Sequence, residues 1–148
     1  MPIIYNKGFK LTKSMGTYKG IEYIVFLNDH LGTFCGYIRL PNNHKFVKLL
    51  SKKKWFRLDR NCPRHYHYDY DAVPLGCHGG LTFGTRITKQ IMPKYPQGFS
   101  EGWWVGWDYA HAGDFVPMSP FAHEKHWQAA DVEKECKRVI TQLKKYGN

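Results

Sequence analysis

Two short segments carry the side chains that could do chemistry. The first is His78-Gly79-Gly80-Leu81-Thr82, where two adjacent glycines allow backbone conformations closed to other residues. They also let a ligand approach the main chain, and consecutive N–H groups there can form an anion-binding nest, flanked by the His78 ring and the Thr82 hydroxyl. A strand interrupted by a bulge, with the histidine bonded internally, accounts for the same residues.

The second segment follows the aromatic run Trp103–Trp107 and contains Asp108, His111 and Asp114 at a spacing of three. If the chain turns helically there, the three side chains lie near one face. They could bind a divalent metal, or an aspartate could orient His111 for ligand binding or general-base work. Capping and turn chemistry are the structural alternative. We predict that the two segments form one polar site.

The familiar catalytic motifs are missing from the sequence. It has no Gly-x-Ser-x-Gly, no phosphate-binding loop and no dinucleotide fingerprint, and its four cysteines form no Cys-x-x-Cys pair. The sequence therefore favours a ligand-binding protein with no cofactor and no bound metal. The catalytic alternative is a metal- or histidine-dependent hydrolase of a phosphorylated substrate, which would use His78, Asp108, His111 and Asp114.

The net charge of +10 is distributed unevenly along the chain. Residues 1–60 carry twelve Lys and Arg against three Asp and Glu, whereas residues 61–148 carry ten against nine. A basic half attracts nucleotides, polyanions or acidic protein surfaces, or it only keeps the protein soluble. The run Lys52-Lys53-Lys54-Trp55-Phe56-Arg57 interleaves basic and aromatic residues, as in nucleic-acid binding and also in exposed lysine-rich loops.

The elements that position these residues indicate an α+β fold in a single domain, residues 1–148. We expect a mostly antiparallel sheet, with strands over residues 18–27 and 33–40 and two central strands over 73–83 and 103–109. A long loop, residues 86–102, would join the central strands. An apolar stripe predicts a C-terminal amphipathic helix over residues 131–146, packed on one face of the sheet; it comprises Val132, Cys136, Val139, Ile140 and Leu143.

Two further segments bear on organisation and location. Residues 44–71 are a basic and aromatic insertion, in which the alternation of residues 62–71 is typical of a strand or of an aromatic loop. The N-terminus does not resemble a signal peptide, and no apolar run approaches the ~20 residues of a membrane span. We therefore expect a cytoplasmic protein with no membrane partner.

Several motifs together resemble a family of small, uncharacterised phage and prophage proteins. They are Cys35-Gly36-Tyr37-Ile38-Arg39-Leu40-Pro41, then His44, Val73-Pro74, residues 78–82, residues 103–114 and a Glu-containing helix ending near Leu143. The resemblance covers most of residues 33–145. Trp107 stands where phenylalanine is usual, Gly84 follows Phe83 where Ser-Gly is frequent, and residues 45–69 are longer and more basic.

The resemblance implies a viral accessory gene expressed in a bacterial cytoplasm. Small phage proteins often counter host defence, either by sequestering a cyclic or linear nucleotide signal or by binding a defence protein. In the first case aromatic rings such as Trp104 would stack on a base, while Gly79, Gly80 and Arg39 would hold phosphate. In the second case the basic first 60 residues would bind the host protein or its nucleic acid. A chain this small makes only a shallow pocket, so we expect a homo-oligomer.

Overall fold

A computed structural model describes residues 9–28, 32–50, 53–55, 66–68, 73–94, 98–109, 114 and 126–147. Ten regular elements occur in these ranges: β1 (Phe9–Tyr18), β2 (Ile21–Asn28), β3 (Thr33–Leu40), α1 (Lys45–Leu50), β4 (Lys53–Trp55), β5 (Tyr66–Tyr68), β6 (Phe83–Ile87), a 3-10 helix (Met92–Lys94), β7 (Gly102–Asp108) and α2 (Ala129–Lys145).

Five of the strands form one antiparallel sheet in the order β1-β2-β3-β7-β6. The helix α2 packs across one face, against β1, β2 and β3. Strands β4 and β5 form a separate antiparallel pair. The predicted α+β fold, a mostly antiparallel sheet with the C-terminal helix on one face, is therefore confirmed.

Both faces of the sheet are covered, which explains the nearly continuous apolar sequences of its inner strands. The face under α2, called here the helix face, buries alternate residues such as Val25, Ile38 and Trp107. The opposite face buries Phe26, Tyr37 and Trp104. Phe99 closes this opposite face, with its ring centroid 5.4 Å from that of Phe26 and 4.8 Å from that of Trp104.

Two glycines at the centre of the sheet each lie opposite a large aromatic residue. Gly36 pairs with Trp107, and Gly106 pairs with Tyr37. A Cβ atom at Gly36 would lie 2.7 Å from Cζ2 of Trp107, and one at Gly106 would lie 2.8 Å from the backbone oxygen of Gly36. The rings therefore lie over the backbone of the neighbouring strand, which requires glycine on that strand.

The C-terminal helix follows the prediction closely. It begins at Ala129, and the Asp131 carboxylate accepts a hydrogen bond of 2.9 Å from the Gln128 backbone N–H, which caps the first turn. The predicted apolar stripe is buried throughout, from Val132 to Leu143. The helix ends before Gly147, whose φ of +74° suits glycine.

The strand predicted over residues 73–83 is wrong, because only Phe83 belongs to a strand, the edge strand β6. Pro74 lacks an N–H for a ladder, and Gly79 and Gly80 adopt φ values of +68° and +83° that do not fit a strand. The loop predicted over residues 86–102 is likewise shorter, since β6 extends to Ile87 and a 3-10 helix lies within the loop.

The insertion at residues 44–71 contains α1, β4 and β5, and β5 forms a short strand within the alternating residues 62–71. No helix within the described ranges is long and apolar enough to cross a membrane.

Candidate functional site

A histidine and an aspartate from the two predicted segments meet at the end of the sheet. The Nε2 atom of His78 lies 2.8 Å from both carboxylate oxygens of Asp114. The indole N–H of Trp127 donates a 2.7 Å hydrogen bond to Oδ1 of the same carboxylate. The Asp114 side chain is 3% exposed and that of His78 is 24% exposed, so a buried acid orients a ring that solvent can reach.

Aromatic rings surround this pair. The ring of Tyr109 stacks on that of His78, with centroids 4.4 Å apart and planes 13° apart. Trp127 tilts against His78 at 4.7 Å, and the Tyr109 hydroxyl accepts a 3.2 Å hydrogen bond from the indole N–H of Trp107. The polar site is thus connected directly to the core of the helix face.

The Gly-Gly segment forms a tight turn. The Gly80 N–H donates a 3.0 Å hydrogen bond to the Cys77 carbonyl, and the positive φ of Gly79 is that of the third residue of a type II turn. The His78 N–H donates to Oε2 of Glu135 at 2.9 Å. The Gly80 N–H of the proposed anion nest is therefore already bonded within the protein, as is the neighbouring His78 N–H, so this geometry does not support a nest.

Side chains of α2 bond the backbone that leads into this turn. Gln142 accepts from the Gly76 N–H at 2.8 Å and donates to the Gly76 carbonyl at 2.6 Å. Arg138 donates to the same carbonyl at 3.0 Å and to both carboxylate oxygens of Glu135, at 2.6 and 2.8 Å. These bonds replace the strand pairing that residues 73–78 lack.

The Glu135 carboxylate connects α2 to the turn, because it accepts hydrogen bonds from both the Arg138 guanidinium and the His78 backbone N–H. The hydrogen bonds from Arg138 hold its pKa below the usual value of 4.5, and the His78 N–H lowers it further against the opposing effect of burial. A lowered folded-state pKa adds stability that is present above about pH 4.5 and is lost as the pH falls through the folded-state value.

The variant Glu135→Gln should lower the free energy of unfolding at pH 7 by about 1–2 kcal/mol. It should also lose less stability than the wild type between pH 5 and pH 3, because the titrating group is gone. Urea unfolding at a series of pH values measures both effects. The control is Glu101→Gln, whose ion pair with Lys89 is exposed and should change stability by less than about 0.5 kcal/mol. Parallel pH profiles for wild type and Glu135→Gln would contradict the assignment.

Two more of the predicted residues, Thr82 and Asp108, contact each other, and Asp108 lies on the opposite face. The Thr82 hydroxyl donates a 3.0 Å hydrogen bond to Oδ2 of Asp108. Asp108 is the last residue of β7 rather than part of a helical turn, and its register partner is Cys35, which is buried in the opposite face. The next residue, Tyr109, belongs to the helix face, where its ring stacks on that of His78.

Arg39 and Trp104 also lie on that opposite face. They are register partners on β3 and β7, and Trp104 is fully buried, with its indole N–H donating to the Ser100 carbonyl. Arg39 donates to the Glu101 carbonyl at 2.7 Å and to Glu22 at 3.2 Å. The structure therefore does not group them with His78. Leu81 packs at the margin of the helix-face core, and His111 lies outside the described residues.

A small cavity of about 120 Å³ lies beside the His78–Asp114 pair. Tyr109 and Trp127 form its aromatic wall, Thr33 is buried, and His126 is exposed. Sequence reasoning missed these four residues as site residues. Tyr109 follows the candidate residue Asp108 directly, so its place in the sequence could have marked it as a site residue. Thr33 is about 75 residues away along the chain from Asp108, and the sequence offered no such indication for it. The described lining consists of Gly32, Thr33, Phe34, Tyr109, His126, Trp127 and Gln128.

The described cysteines are poor nucleophiles. Burial, together with a nearby carboxylate, Glu135 for Cys77 and Asp108 for Cys35, raises the pKa of these two thiols to about 12. Burial also raises the pKa of Cys136. Thiols with such pKa values remain protonated at neutral pH and react slowly. Across the ranges that the structure covers, no three His, Cys, Asp or Glu side chains are grouped as a metal site would require.

The structure thus defines an α+β domain whose histidine–aspartate pair and aromatic cavity lie at one end of its sheet. Comparison with models of protein families, with curated proteins and with solved structures finds no match to this chain.

Proposed function

We propose that this protein is a phage-encoded accessory protein that binds and sequesters a nucleotide-derived immune signal in the host cytoplasm. The observation that carries the proposal is the aromatic cavity beside the buried His78–Asp114 pair. Aromatic rings stack on bases, and an oriented histidine supplies a polar contact. The viral setting comes from the resemblance of the sequence motifs to small phage proteins.

Holding the ligand is favoured over cutting it by the chemistry of the site. The three described thiols are protonated at neutral pH, so none is an activated nucleophile. The cavity of about 120 Å³ is below the ~300 Å³ at which ligand pockets usually begin. It therefore encloses only part of a nucleotide, and we expect the remainder to contact a second copy of the chain in a homo-oligomer.

The hydrolase alternative is favoured by one observation, the geometry of His78 and Asp114. An ionised carboxylate accepts hydrogen bonds only, so Nε2 of the neutral imidazole carries the proton and Nδ1 is the basic nitrogen. A base oriented in this way by a buried acid could activate water. The residues of that mechanism would be His78 and Asp114.

A second alternative, an inhibitor of a host defence protein, is favoured by the basic surface around α1 and the end of α2. Lys45 lies over the Tyr146 ring, with its Nζ 5.4 Å from the ring centroid. Burial lowers the pKa of His44, and the positive charges of Lys45 and Lys144 also act to lower it. Such a surface suits an acidic protein or a nucleic acid.

One experiment separates the three functions. The protein is incubated with a panel of cyclic mono- and dinucleotides, freed of unbound ligand and heat-denatured, and the released material is identified by mass spectrometry. We expect intact ligand from the wild type and at least tenfold less from His78→Ala, because the variant loses the ring that stacks on Tyr109. The control Lys89→Ala alters an exposed side chain and should retain ligand normally.

Cleaved ligand would instead support the hydrolase. The absence of retained ligand would overturn both small-molecule functions and leave the inhibitor.

A further inference from the structure

A buried histidine lies between the two helices. His44 immediately precedes α1 and is 1% exposed. Its Nδ1 accepts a 3.1 Å hydrogen bond from the Phe46 backbone N–H, and its carbonyl accepts one of 2.9 Å from the Val47 N–H. The ring therefore caps the first turn of α1, as the side-chain oxygen of an asparagine or aspartate commonly does at this position. The proposed function makes no use of this residue.

The hydrogen bond to Nδ1 determines which nitrogen of the His44 ring carries the proton. A neutral imidazole has one N–H and one acceptor nitrogen, so Nε2 is protonated when Nδ1 accepts. Nε2 is buried and has no hydrogen bond of standard geometry within the described ranges. The backbone of Leu143 and Gly147, at the end of α2, is close enough to act on the ring as an acceptor. The neutral ring thus contacts the beginning of one helix and the end of the other.

Protonation of this ring removes the cap of α1. The added proton goes to Nδ1, which then directs an N–H at the backbone N–H that it had accepted from. Burial disfavours the charged ring, and the positive charges of Lys45 on α1 and Lys144 on α2 also disfavour it. The backbone of Leu143 and Gly147 acts in the other direction, but burial has the largest effect, so the pKa of His44 lies below its ordinary value of 6.5.

We infer that His44 forms a pH-sensitive contact between α1 and α2, which holds the start of α1 while the ring is neutral and releases it when the ring takes up a proton. The released or unfolded chain binds that proton more readily than the packed ring does. The stability of the contact is therefore complete above about pH 6.5 and is lost as the pH falls from there through the folded-state pKa. The inference does not depend on the proposed function.

Amide hydrogen exchange at pH 7 and pH 5 tests the inference, with each rate corrected for the intrinsic effect of pH on exchange. We expect the protection of the Phe46 and Val47 amides to decrease by about fivefold at pH 5, which corresponds to the loss of one hydrogen bond. Amides at the centre of the sheet, such as those of Val25 and Ile38, should change by less than about twofold, because release of α1 is a local event.

The variant His44→Asn separates titration of the ring from its packing. The asparagine oxygen can accept from the Phe46 N–H as Nδ1 does, but the side chain does not titrate between pH 5 and pH 7. The smaller side chain lowers the protection of α1 at both pH values, and we expect the difference between them to disappear. The matched control is His126→Asn, which alters an exposed histidine and should keep the pH dependence of the wild type.

Long-range ¹H–¹⁵N NMR of the wild type reads the His44 ring directly and needs no variant. At pH 7 we expect the proton on Nε2, and we expect the ring to titrate with a midpoint below 6.5. A proton on Nδ1 at pH 7, or a midpoint at or above 6.5, would overturn the inference. PH-dependent protection of α1 in His44→Asn, or an equal decrease in protection throughout the sheet, would overturn it as well.

Discussion

Replacing Gly106 with alanine is expected to lower the free energy of unfolding by about 3 kcal/mol, because the new Cβ atom has no room in the sheet. It would lie 2.8 Å from the backbone oxygen of Gly36 and would also meet the ring of Tyr37. Neither can move easily, since Tyr37 packs edge-on against Phe26 and Phe99 in the opposite-face core. In a chain of 148 residues this loss corresponds to a decrease of roughly 6–12 °C in melting temperature.

The matched control is Gly16→Ala in β1. A Cβ atom at Gly16 would approach the Tyr23 side chain, with its hydroxyl oxygen nearest at 3.4 Å, and all of these are ordinary contacts. This variant should stay within about 0.5 kcal/mol of the wild type, because alanine also reduces the entropy of the unfolded chain. Urea unfolding of the two variants provides the comparison. Equal stability of Gly106→Ala and Gly16→Ala would contradict the packing of Tyr37 over Gly106.

Replacing Asp114 with alanine is expected to have the largest effect on the site itself. The variant removes the acceptor that both the His78 ring and the Trp127 indole use. Because the carboxylate is buried, the variant loses the hydrogen bond from the indole N–H and the contact that orients the His78 ring. We expect a decrease of about 3 kcal/mol in the free energy of unfolding and the loss of nucleotide retention.

The variant Asp114→Asn separates the anchoring role of Asp114 from its charge. The asparagine carbonyl can still accept from Trp127, while its amide donates to Nε2 of His78, which moves the imidazole proton to Nδ1. Stability should therefore decrease by less than about 1 kcal/mol. The ring stays in place, but Nδ1 changes from a hydrogen-bond acceptor to a donor.

Binding and turnover measurements on Asp114→Asn then discriminate between holding and cutting. A protein that only holds its ligand should keep affinity within about tenfold, whereas a hydrolase that uses Nδ1 as its base would lose turnover. Full stability of Asp114→Ala would contradict the assignment of Asp114 as the anchor of the site.

The regular elements of this fold could be predicted from local patterns. The period of the stripe from Val132 to Leu143 indicates one helix, and the aromatic and β-branched residues of β2 and β3 indicate strands. Residues 73–82 could not be assigned in this way. Their apolar residues are typical of a strand, yet the backbone N–H groups of Gly76 and His78 donate to side chains of α2, about sixty residues further along the chain.

The site was predictable in part. His78 and Asp114 were both named from the sequence, and they are in contact. The face on which Asp108 lies depends on which side of the sheet β7 presents at its last residue, and that depends on the register with β3. Thr33 and Trp127 reach the cavity only through tertiary folding, so spacing within the motifs carried no information about them.

The bonds from α2 to residues 76 and 78 have a consequence for dynamics. Because Gln142, Arg138 and Glu135 hold the backbone that carries His78, the helix cannot leave the sheet without dismantling the site. Undocking of α2 and loss of the site are therefore one local unfolding event. A ligand that binds only the assembled site raises the free energy of that opening, and so slows exchange of the α2 amides with solvent.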